Sequence, residues 1–154
     1  MKIKDKSTLI IAILIPIAVG TFSALFSGNM SIYSQINKPV LSPPGILFPI
    51  VWTILYILMG ISSYIIYVSN SPYEDDALRV YKFQLFFNFC WSIIFFRFNQ
   101  FLFAFLWLVV LIALIIVMIY RFYKISKLAG YLQIPYLIWC TFAAYLNFMI
   151  YRLN

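Results

Sequence analysis

The chain has 154 residues, of which 65% are apolar, 21% are aromatic and only 10% are charged, and its formal net charge is +7. An average soluble domain is about half apolar and about a quarter charged, and a domain of roughly 150 residues buries only about 70% of the surface that its unfolded chain exposes. The composition therefore excludes a water-soluble globule, a disordered chain and a disulfide scaffold. It predicts a single membrane domain, residues 1–154, that crosses the bilayer several times.

The rare residue types exclude several kinds of site. The chain has no histidine, so a histidine ligand to a metal or haem is impossible, and its two cysteines, Cys90 and Cys140, lie inside apolar runs and fit no CxxC site. Its lysines and arginines fall at the ends of apolar segments instead of forming one basic run. That pattern is typical of membrane flanks and argues against a nucleic-acid partner. We expect neither a metal nor a cofactor.

The first apolar run, residues 8–26, follows a segment with three lysines. A secretory signal has this order, but the run is long enough to span a bilayer and lacks a clear cleavage motif, so we expect a retained helix that is kinked at Pro16. Gly20, Ala24 and Gly28 recur at a spacing of four. They form either a ridge that lets another helix approach closely or ordinary lipid-facing positions.

Residues 28–44 are predicted to be the longest non-helical stretch, because Pro39, Pro43 and Pro44 break any helix there. The stretch is too apolar for a solvated linker, so we expect it to fold over one end of the protein. Long ordered loops are usually lids or binding loops.

Four further apolar runs predict helices at about residues 45–68, 77–96, 101–123 and 130–151, separated by an acidic turn, a tight connection at 97–100 and a basic turn at 124–129. Strand-like alternation is absent, and helices satisfy every backbone group within the bilayer. The predicted fold class is therefore an all-α membrane protein, a bundle of five transmembrane helices with a Pro-rich loop between helices 1 and 2.

Lysine and arginine are distributed unequally between the two ends of such a bundle. Eight fall at the end that carries the N-terminus, and three, Lys38, Arg97 and Arg152, fall at the other end. The positive-inside rule then predicts a multi-pass protein of the cell membrane with the N-terminus in the cytoplasm and the C-terminus outside. The Pro-rich loop would face outward.

No predicted span has an ionisable group at its centre. Proton relays and ion-coupled antiport normally need one, so an exporter driven by a buried glutamate is disfavoured, and hydrolysis through a histidine or carboxylate base has no candidate. Whether the protein is an enzyme is left open by the sequence, because any chemistry must use aromatic and uncharged polar groups.

Three predicted helices carry a tryptophan beside small or polar residues on one face. An amide in hydrocarbon is costly without a partner, so these amides should point inward, either as links between helices or in the wall of a ligand cavity. Trp107 is interpreted as a packing residue or interface anchor. The three stripes are Trp52, Tyr56, Gly60 and Ser63; Gln84, Asn88, Trp91, Ser92 and Phe95; and Tyr136, Trp139, Ala143 and Asn147.

Three motifs together resemble the TspO/MBR family, which comprises the bacterial tryptophan-rich sensory proteins and the mitochondrial translocator protein (the peripheral benzodiazepine receptor). The first is KP, SPP and FPIVWTILYILMG between Lys38 and Gly60. The second is QLFFNFCWSIIFF, residues 84–96, and the third is AGYLQIPYLIWCTFAAYLN, residues 129–147. The resemblance covers nearly the whole chain, in the family's order.

The chain departs from the family pattern at two loop positions and near the C-terminus. Ile32 and Ile46 stand where the family often has tryptophan, so the loop is expected to contact a ligand differently. Tyr151 is followed directly by Arg152, without the spacer of the sterol-recognition pattern. A fit at Val117, Tyr120 and Lys124 is of hypothesis grade only, so we do not carry over a sterol partner.

The resemblance implies a bundle that is usually a homodimer, with a cavity that opens toward the first loop. It implies binding of porphyrins such as protoporphyrin IX, of haem, and of benzodiazepine and isoquinoline drugs, together with light-dependent breakdown of protoporphyrin. Carried over by motif position, the ligand-binding residues are Tyr33, Pro43, Pro44, Phe48, Trp52, Tyr56, Asn88, Phe89, Ser92, Trp139, Ala143 and Asn147.

Aromatic faces stack well on a flat macrocycle. Lys38 is a candidate donor to the propionates, and Trp52 and Trp139 are candidate participants in photo-oxidation. Four functions stay open: a binding protein that senses, carries or regulates tetrapyrroles; an enzyme-like photodegrader; a scaffold or accessory subunit without a ligand; and a transporter, which would be passive because no coupling-ion site is predicted.

Overall fold

In the computed structural model, which describes residues 5–28 and 30–154, all regular elements of the described ranges are helical. This confirms the all-α class. The lysines at positions 2 and 4, which count toward the predicted orientation, lie outside the described residues. The helices are α1 (Lys6–Phe26), α2 (Ile32–Gln35), α3 (Leu47–Tyr67), α4 (Glu74–Ser92), α5 (Phe101–Ile125), α6 (Lys127–Leu132) and α7 (Ile134–Leu153), and a π-helical turn, Ile93–Arg97, continues α4.

Four helical segments of the described chain are long and apolar enough to cross a membrane: α1, α3, α5, and α6 with α7 taken together. The chain is therefore a membrane protein with several apolar helices. α4 has 19 residues but does not meet the same composition, because its first turn carries Glu74, Asp75 and Asp76 and basic residues follow. The predicted fifth span thus stays a prediction for α4.

Hydrogen bonds gather one set of helix ends around the start of α1, which we call the N-terminal end. The backbone amide of Asp5 donates to the Tyr64 hydroxyl at 3.1 Å, at the end of α3. The Ser62 hydroxyl donates to the carbonyl oxygen of Ala129 in α6 at 2.7 Å. Where α4 begins and α5 ends, the Arg121 guanidinium donates to the Asp76 carbonyl oxygen at 3.3 Å.

The opposite set of helix ends meets the segment between α1 and α3, and we call it the loop end. The Arg97 guanidinium donates to the Phe26 carbonyl oxygen at 3.1 Å, which joins the end of the π-helical turn to the end of α1. The backbone amide of Asn37 donates to the Asn154 side-chain oxygen at 3.2 Å. α4 with its π-helical turn therefore runs from one end of the bundle to the other.

The sequence predicts that residues 28–44 are non-helical, and this prediction is wrong for one turn of the segment between α1 and α3. That segment contains α2, whose single turn is closed by a bond from the Ile36 amide to the Ile32 carbonyl oxygen at 3.1 Å. No proline precedes Pro39 in this segment, so its backbone N–H groups are free to form that turn. The three prolines lie in the non-helical residues 36–46.

The predicted fifth helix is two helices, α6 and α7, and the predicted basic turn is mostly helical. α5 continues to Ile125, and only Ser126 is extended before α6 begins. The Ser126 side chain accepts a hydrogen bond from the Ala129 amide, which caps α6. Gln133 separates the two helices, and Pro135 lies in the first turn of α7, where its missing N–H has no intrahelical partner to lose.

The core runs along α5, where buried residues recur at helical spacing: Leu108, Leu111, Ile115, Met118 and Phe122. The opposite face of α5 is apolar and exposed, with residues such as Leu106, Val109 and Ile116. A helix of this kind suits a bilayer, because lipid covers the exposed apolar face while packing covers the other.

Candidate ligand cavity

A cavity of about 380 Å³ lies between α1, α3, α4 and α7 and reaches the loop end. Its volume lies within the range of about 300–1,000 Å³ that is usual for small-molecule sites. The wall is mostly apolar. Its residues are Ile17, Gly20, Thr21, Ser23, Ala24, Met30, Tyr33, Phe48, Pro49, Trp52, Thr53, Tyr56, Asn88, Trp91, Ser92, Phe95, Phe96, Ala143, Leu146, Asn147 and Ile150.

Two tryptophans from facing helices form the aromatic part of the wall. Trp52 of α3 stacks on Tyr56, with ring centroids 5.5 Å apart and planes 27° apart. Trp91 of α4 lies 5.4 Å from Phe95, which belongs to the π-helical turn. That turn, marked by the bond from the Phe98 amide to the Ile93 carbonyl oxygen at 3.2 Å, places Phe95 and Phe96 together on the cavity wall.

A chain of hydrogen bonds forms the floor of the cavity. The Tyr56 hydroxyl donates to Oδ1 of Asn88 at 2.9 Å, and Nδ2 of Asn88 donates to the Tyr136 hydroxyl at 2.8 Å. The Tyr136 hydroxyl in turn donates to Oε1 of Gln84 at 2.7 Å. These four side chains are buried and join α3, α4 and α7. Both the oxygen and the nitrogen of the Asn88 amide therefore have a partner within the protein.

A second polar link joins the wall to α7. The indole Nε1 of Trp91 donates to Oδ1 of Asn147 at 3.0 Å, and Nδ2 of Asn147 donates to the Phe101 carbonyl oxygen at 2.8 Å. The Asn147 amide is 1% exposed, so both of its halves need these partners. The link fixes the plane of the Trp91 ring.

Most hydroxyl groups on the wall are bonded to backbone carbonyl oxygens of the protein. Thr21, Ser23 and Thr53 donate at 2.7–2.8 Å to Ile17, Phe89 and Pro49 respectively. Trp52 and Ser92 also line the cavity, and within the described part of the chain Nε1 of Trp52 and the hydroxyl of Ser92 make no such bond. These two groups are available to a ligand.

The loop closes one side of the cavity through Tyr33. Its ring meets Phe48 edge to face at 5.0 Å, and its hydroxyl donates to the Pro43 carbonyl oxygen at 2.8 Å. Partial burial raises the pKa of the Tyr33 hydroxyl above its ordinary value. The Lys38 ammonium lies 4.8 Å from the centroid of the same ring and donates to the Tyr33 carbonyl oxygen at 2.6 Å, so Lys38 holds the loop and does not line the cavity.

The structure brings part of the predicted ligand-binding set together on the wall: Tyr33, Phe48, Trp52, Tyr56, Asn88, Ser92, Ala143 and Asn147. Pro43, Pro44, Phe89 and Trp139 lie elsewhere. Phe89 turns toward α1, where its ring meets Phe26 at 6.0 Å. Pro43 serves as the acceptor for Tyr33.

Trp139 is separated from the cavity by Phe48, whose ring it meets at 5.7 Å. On its other side it meets Phe142 at 5.7 Å. Its indole Nε1 is buried and has no partner among the described residues. Trp139 therefore supports the wall from behind Phe48.

Sequence reasoning left α1 out of the candidate ligand-binding set. Ile17, Gly20, Thr21, Ser23 and Ala24 form one side of the cavity. The spacing of Gly20 and Ala24 was a usable signal, because it predicts a face of α1 that another element approaches. Trp91, which the sequence places on a stripe, was also missing from the predicted ligand-binding residues.

Comparison with known proteins gives the relationship of the chain. The family model described as TspO/MBR family matches residues 12–152. The chain belongs to the TspO/MBR family. Among TspO/MBR relatives, a tryptophan-rich protein TspO of Archaeoglobus fulgidus is 38% identical over 149 residues, which cover 95% of this chain and 96% of the relative.

Other TspO/MBR relatives come from a bacterium and a mammal. The tryptophan-rich sensory protein of Cereibacter sphaeroides is 36% identical over 122 residues, 79% of this chain and 76% of the relative. The translocator protein of Sus scrofa is 34% identical over 125 residues, 79% of this chain and 74% of the relative. The family resemblance predicted from the three motifs is confirmed.

Proposed function

We propose that this TspO/MBR protein binds a tetrapyrrole of the protoporphyrin IX or haem class in the cavity between α1, α3, α4 and α7. The observation that carries the proposal is the aromatic wall of a cavity of about 380 Å³ beneath the loop. Trp52 and Trp91 offer indole rings from facing helices, and an aromatic pair adds about 0.5–1.5 kcal/mol beyond area burial.

The polar groups of the cavity support an orientation for this ligand. No charged side chain lines the cavity in the described ranges, so the propionates would be costly inside it. We therefore expect the apolar macrocycle to face Trp52 and Trp91 and the propionates to project at the loop end. Nε1 of Trp52 and the hydroxyl of Ser92 can meet polar atoms of the ligand without breaking an existing bond.

Titration of the purified protein with protoporphyrin IX tests this proposal, with quenching of tryptophan fluorescence as the readout. The double variant Trp52→Phe, Trp91→Phe should bind at least about tenfold more weakly, a change of about 1.4 kcal/mol. Trp107→Phe is the matched control, since Trp107 stacks on Phe87 at 4.3 Å and lies off the cavity wall. Unchanged affinity in the double variant would refute the cavity assignment. If the wild-type protein binds no porphyrin and instead co-purifies with a stoichiometric partner protein, the alternative is favoured, a ligand-free scaffold or accessory subunit.

Light-dependent breakdown of protoporphyrin belongs to the same proposal. Dioxygen is the oxidant, activated by the illuminated porphyrin, and the Trp52 indole on the cavity wall is the candidate side chain for oxidation. Trp139, the other candidate, lies behind Phe48. Bleaching of the bound porphyrin should exceed that of free porphyrin in detergent, stop without dioxygen and slow in Trp52→Phe. An equal rate with an unrelated helical membrane protein would remove this part of the proposal.

The same wall should accept flat aromatic drugs of the benzodiazepine and isoquinoline type, and competition with protoporphyrin IX tests this. Transport of the tetrapyrrole would be passive or by exchange, because the described residues that line the cavity include no charged side chain, and a liposome flux assay decides it. A homodimer is expected from the family resemblance and is measured by light scattering of the detergent-solubilised protein.

We also propose that α4 is the fifth span, with the N-terminal end in the cytoplasm and the loop end outside the cell membrane. The support is that α4 joins the two ends of the bundle while lysine and arginine are concentrated at the N-terminal end. Single cysteines introduced at Ser69 and at Asn99, which lie on either side of α4 and its π-helical turn, test it in intact cells. An impermeant maleimide should label Asn99→Cys only; labelling of Ser69→Cys alone would reverse the orientation, and equal labelling of both would contradict a span at α4.

A further inference from the structure

The bundle interior contains a layer of polar atoms that the cavity does not use. Nε2 of Gln84, the hydroxyl of Tyr81 and both side-chain atoms Nε2 and Oε1 of Gln133 are buried without a hydrogen-bond partner among the described residues. Gln84 and Gln133 are 0% exposed and Tyr81 is 6% exposed. An unpaired buried polar group costs about 1–3 kcal/mol, so several at one place call for an occupant.

The helices bring the residues that carry these atoms to within about one helical turn of one another. Gln84 and Tyr136 face each other, since the Tyr136 hydroxyl donates to Oε1 of Gln84 at 2.7 Å. α4 and α7 both begin at the N-terminal end, so they run in the same direction. Tyr81 and Gln133 each lie three residues before one member of that pair, about one turn closer to the N-terminal end on the same faces.

α3 closes the same layer from the third side. Ser63 of α3 lies beside the Tyr81 hydroxyl without meeting the geometry of a hydrogen bond to it, and its own hydroxyl donates to the Gly60 carbonyl oxygen at 3.0 Å. Its oxygen can therefore accept but has no further proton to give. The layer thus contains amide donors, an amide acceptor and hydroxyl groups, and no charged residue takes part.

We infer that this layer binds ordered water. Water donates and accepts, and a buried water typically makes about three hydrogen bonds with groups that are otherwise unpaired. A divalent metal is a poor occupant because hard cations prefer carboxylates, and the described residues contain no cluster of metal-binding side chains. One or more waters between Gln84, Gln133 and Tyr81 would give hydrogen-bond partners to the unpaired atoms of these three side chains.

The water site extends the floor of the cavity toward the N-terminal end. The order of hydrogen bonds becomes Asn88, Tyr136, Gln84, water and Gln133, and Gln133 is the residue at which α6 meets α7. The wall of the cavity and the break between α6 and α7 are then parts of one network. This inference does not depend on which ligand the cavity binds.

The test is an experimental structure of the full chain at a resolution that shows ordered water. Density is expected about 2.7–3.2 Å from at least two of Nε2 of Gln84, the Gln133 amide and the Tyr81 hydroxyl. Direct bonding of these side chains to one another, or a dry layer, would overturn the inference.

A double-mutant cycle gives a second readout that separates a shared water from independent side chains. Tyr81→Phe and Gln133→Met should each lower the Tm, and the double variant should lose less than the sum, because the first change already removes the water. Tyr120→Phe combined with Gln133→Met is the control pair, since Tyr120 is 62% exposed, and its shifts should add. Additive shifts for Tyr81 and Gln133 would contradict a common water. If Gln133→Met does not fold, the wild-type structure alone decides.

Discussion

The ring of Tyr56 fills the space in which a side chain at Gly20 would begin. A Cβ atom built at Gly20 would overlap Cε2, Cζ and Cδ2 of the Tyr56 ring. The same Tyr56 donates to Asn88 at 2.9 Å, so the absence of a side chain on α1 permits the floor of the cavity to form. A glycine on the predicted ridge thus sets the position of a residue on a different helix.

Gly20→Ala should force the Tyr56 ring out of place and break its bond to Asn88. Because the obstacle is a side chain that can rotate, the fold should survive with a loss of about 1–3 kcal/mol, while protoporphyrin IX affinity falls more than stability does. Thermal unfolding in detergent and ligand titration measure the two effects. Gly45→Ala is the control, since its Cβ would meet Tyr33 at an ordinary 3.8 Å, and equal effects of the two changes would contradict the mechanism.

Gly60→Ala should be more damaging than Gly20→Ala. A Cβ atom at Gly60 would strike the backbone of α1, at Cα of Ile13 and at the carbonyl oxygen of Ala12, 2.7 Å away. Backbone atoms of a helix cannot rotate aside, so α1 must move away from α3 as a whole. We expect a loss of more than about 3 kcal/mol or failure to accumulate in the membrane, measured as folded yield and Tm. A Tm within a few degrees of the wild type would argue against this close helix contact.

Trp91→Phe should remove the donor to Asn147 and leave Oδ1 of Asn147 buried without a partner. Hydrogen bonds between membrane helices contribute about 0.6 kcal/mol on average and up to about 1.7 kcal/mol, so a loss of about 1 kcal/mol is expected in chemical unfolding. Combining it with Asn147→Ala should cost less than the sum of the single changes, since both break one bond. Strict additivity would show that the indole and the amide do not interact.

Tyr33→Phe should loosen the loop, because it removes the bond of 2.8 Å to the Pro43 carbonyl oxygen. Burial raises the pKa of Tyr33, so the neutral hydroxyl is favoured in the folded protein. Its stabilisation is complete below the unfolded pKa of about 10 and is lost as the pH rises through the higher folded pKa. Ligand dissociation should therefore accelerate as the pH rises through the folded-state pKa of Tyr33, and not at lower pH.

The matched comparison for the loop is the pH profile of Tyr33→Phe. The ligand should dissociate from this variant faster than from the wild type at neutral pH, and the profile of the variant should lack the step due to Tyr33. Identical profiles for wild type and variant, recorded by stopped-flow fluorescence, would exclude the hydroxyl as the group that holds the loop.

Asp5 should make the start of α1 sensitive to acid. Its carboxylate accepts from the Thr8 hydroxyl at 2.5 Å and from the Ser7 amide at 3.0 Å, and the Thr8 bond is the main cause that lowers the pKa of Asp5. Such a carboxylate stabilises the folded state at pH values above its unfolded-state pKa of about 3.9. The stabilisation is lost as the pH falls through the lower folded-state pKa. Amide exchange at Leu9 should accelerate in that range, whereas Asp5→Asn, which keeps an acceptor, should show no such acid transition.

The sequence by itself determined the class of molecule. An apolar composition with charges only at segment ends cannot fold in water, and helical spacing of the apolar runs predicted the all-helical class that the described residues show. The same spacing placed Gln84, Asn88 and Asn147 on inward faces, and each is buried. These features follow from local geometry and from the cost of placing polar groups in lipid.

The tertiary structure decided which inward faces share a cavity. Trp52, Trp91 and Trp139 each lie on one of the three predicted stripes, yet Phe48 stands between Trp139 and the cavity, while α1, which carries no such stripe, supplies a whole side. The π-helical turn and the break at Gln133 were equally hidden, and at the break the Ala129 carbonyl oxygen accepts from Ser62 of α3, a residue far away in the chain. Helix periodicity fixes the direction of a side chain around its own axis, but the rotation and depth of one helix against another arise from packing between residues far apart in the chain.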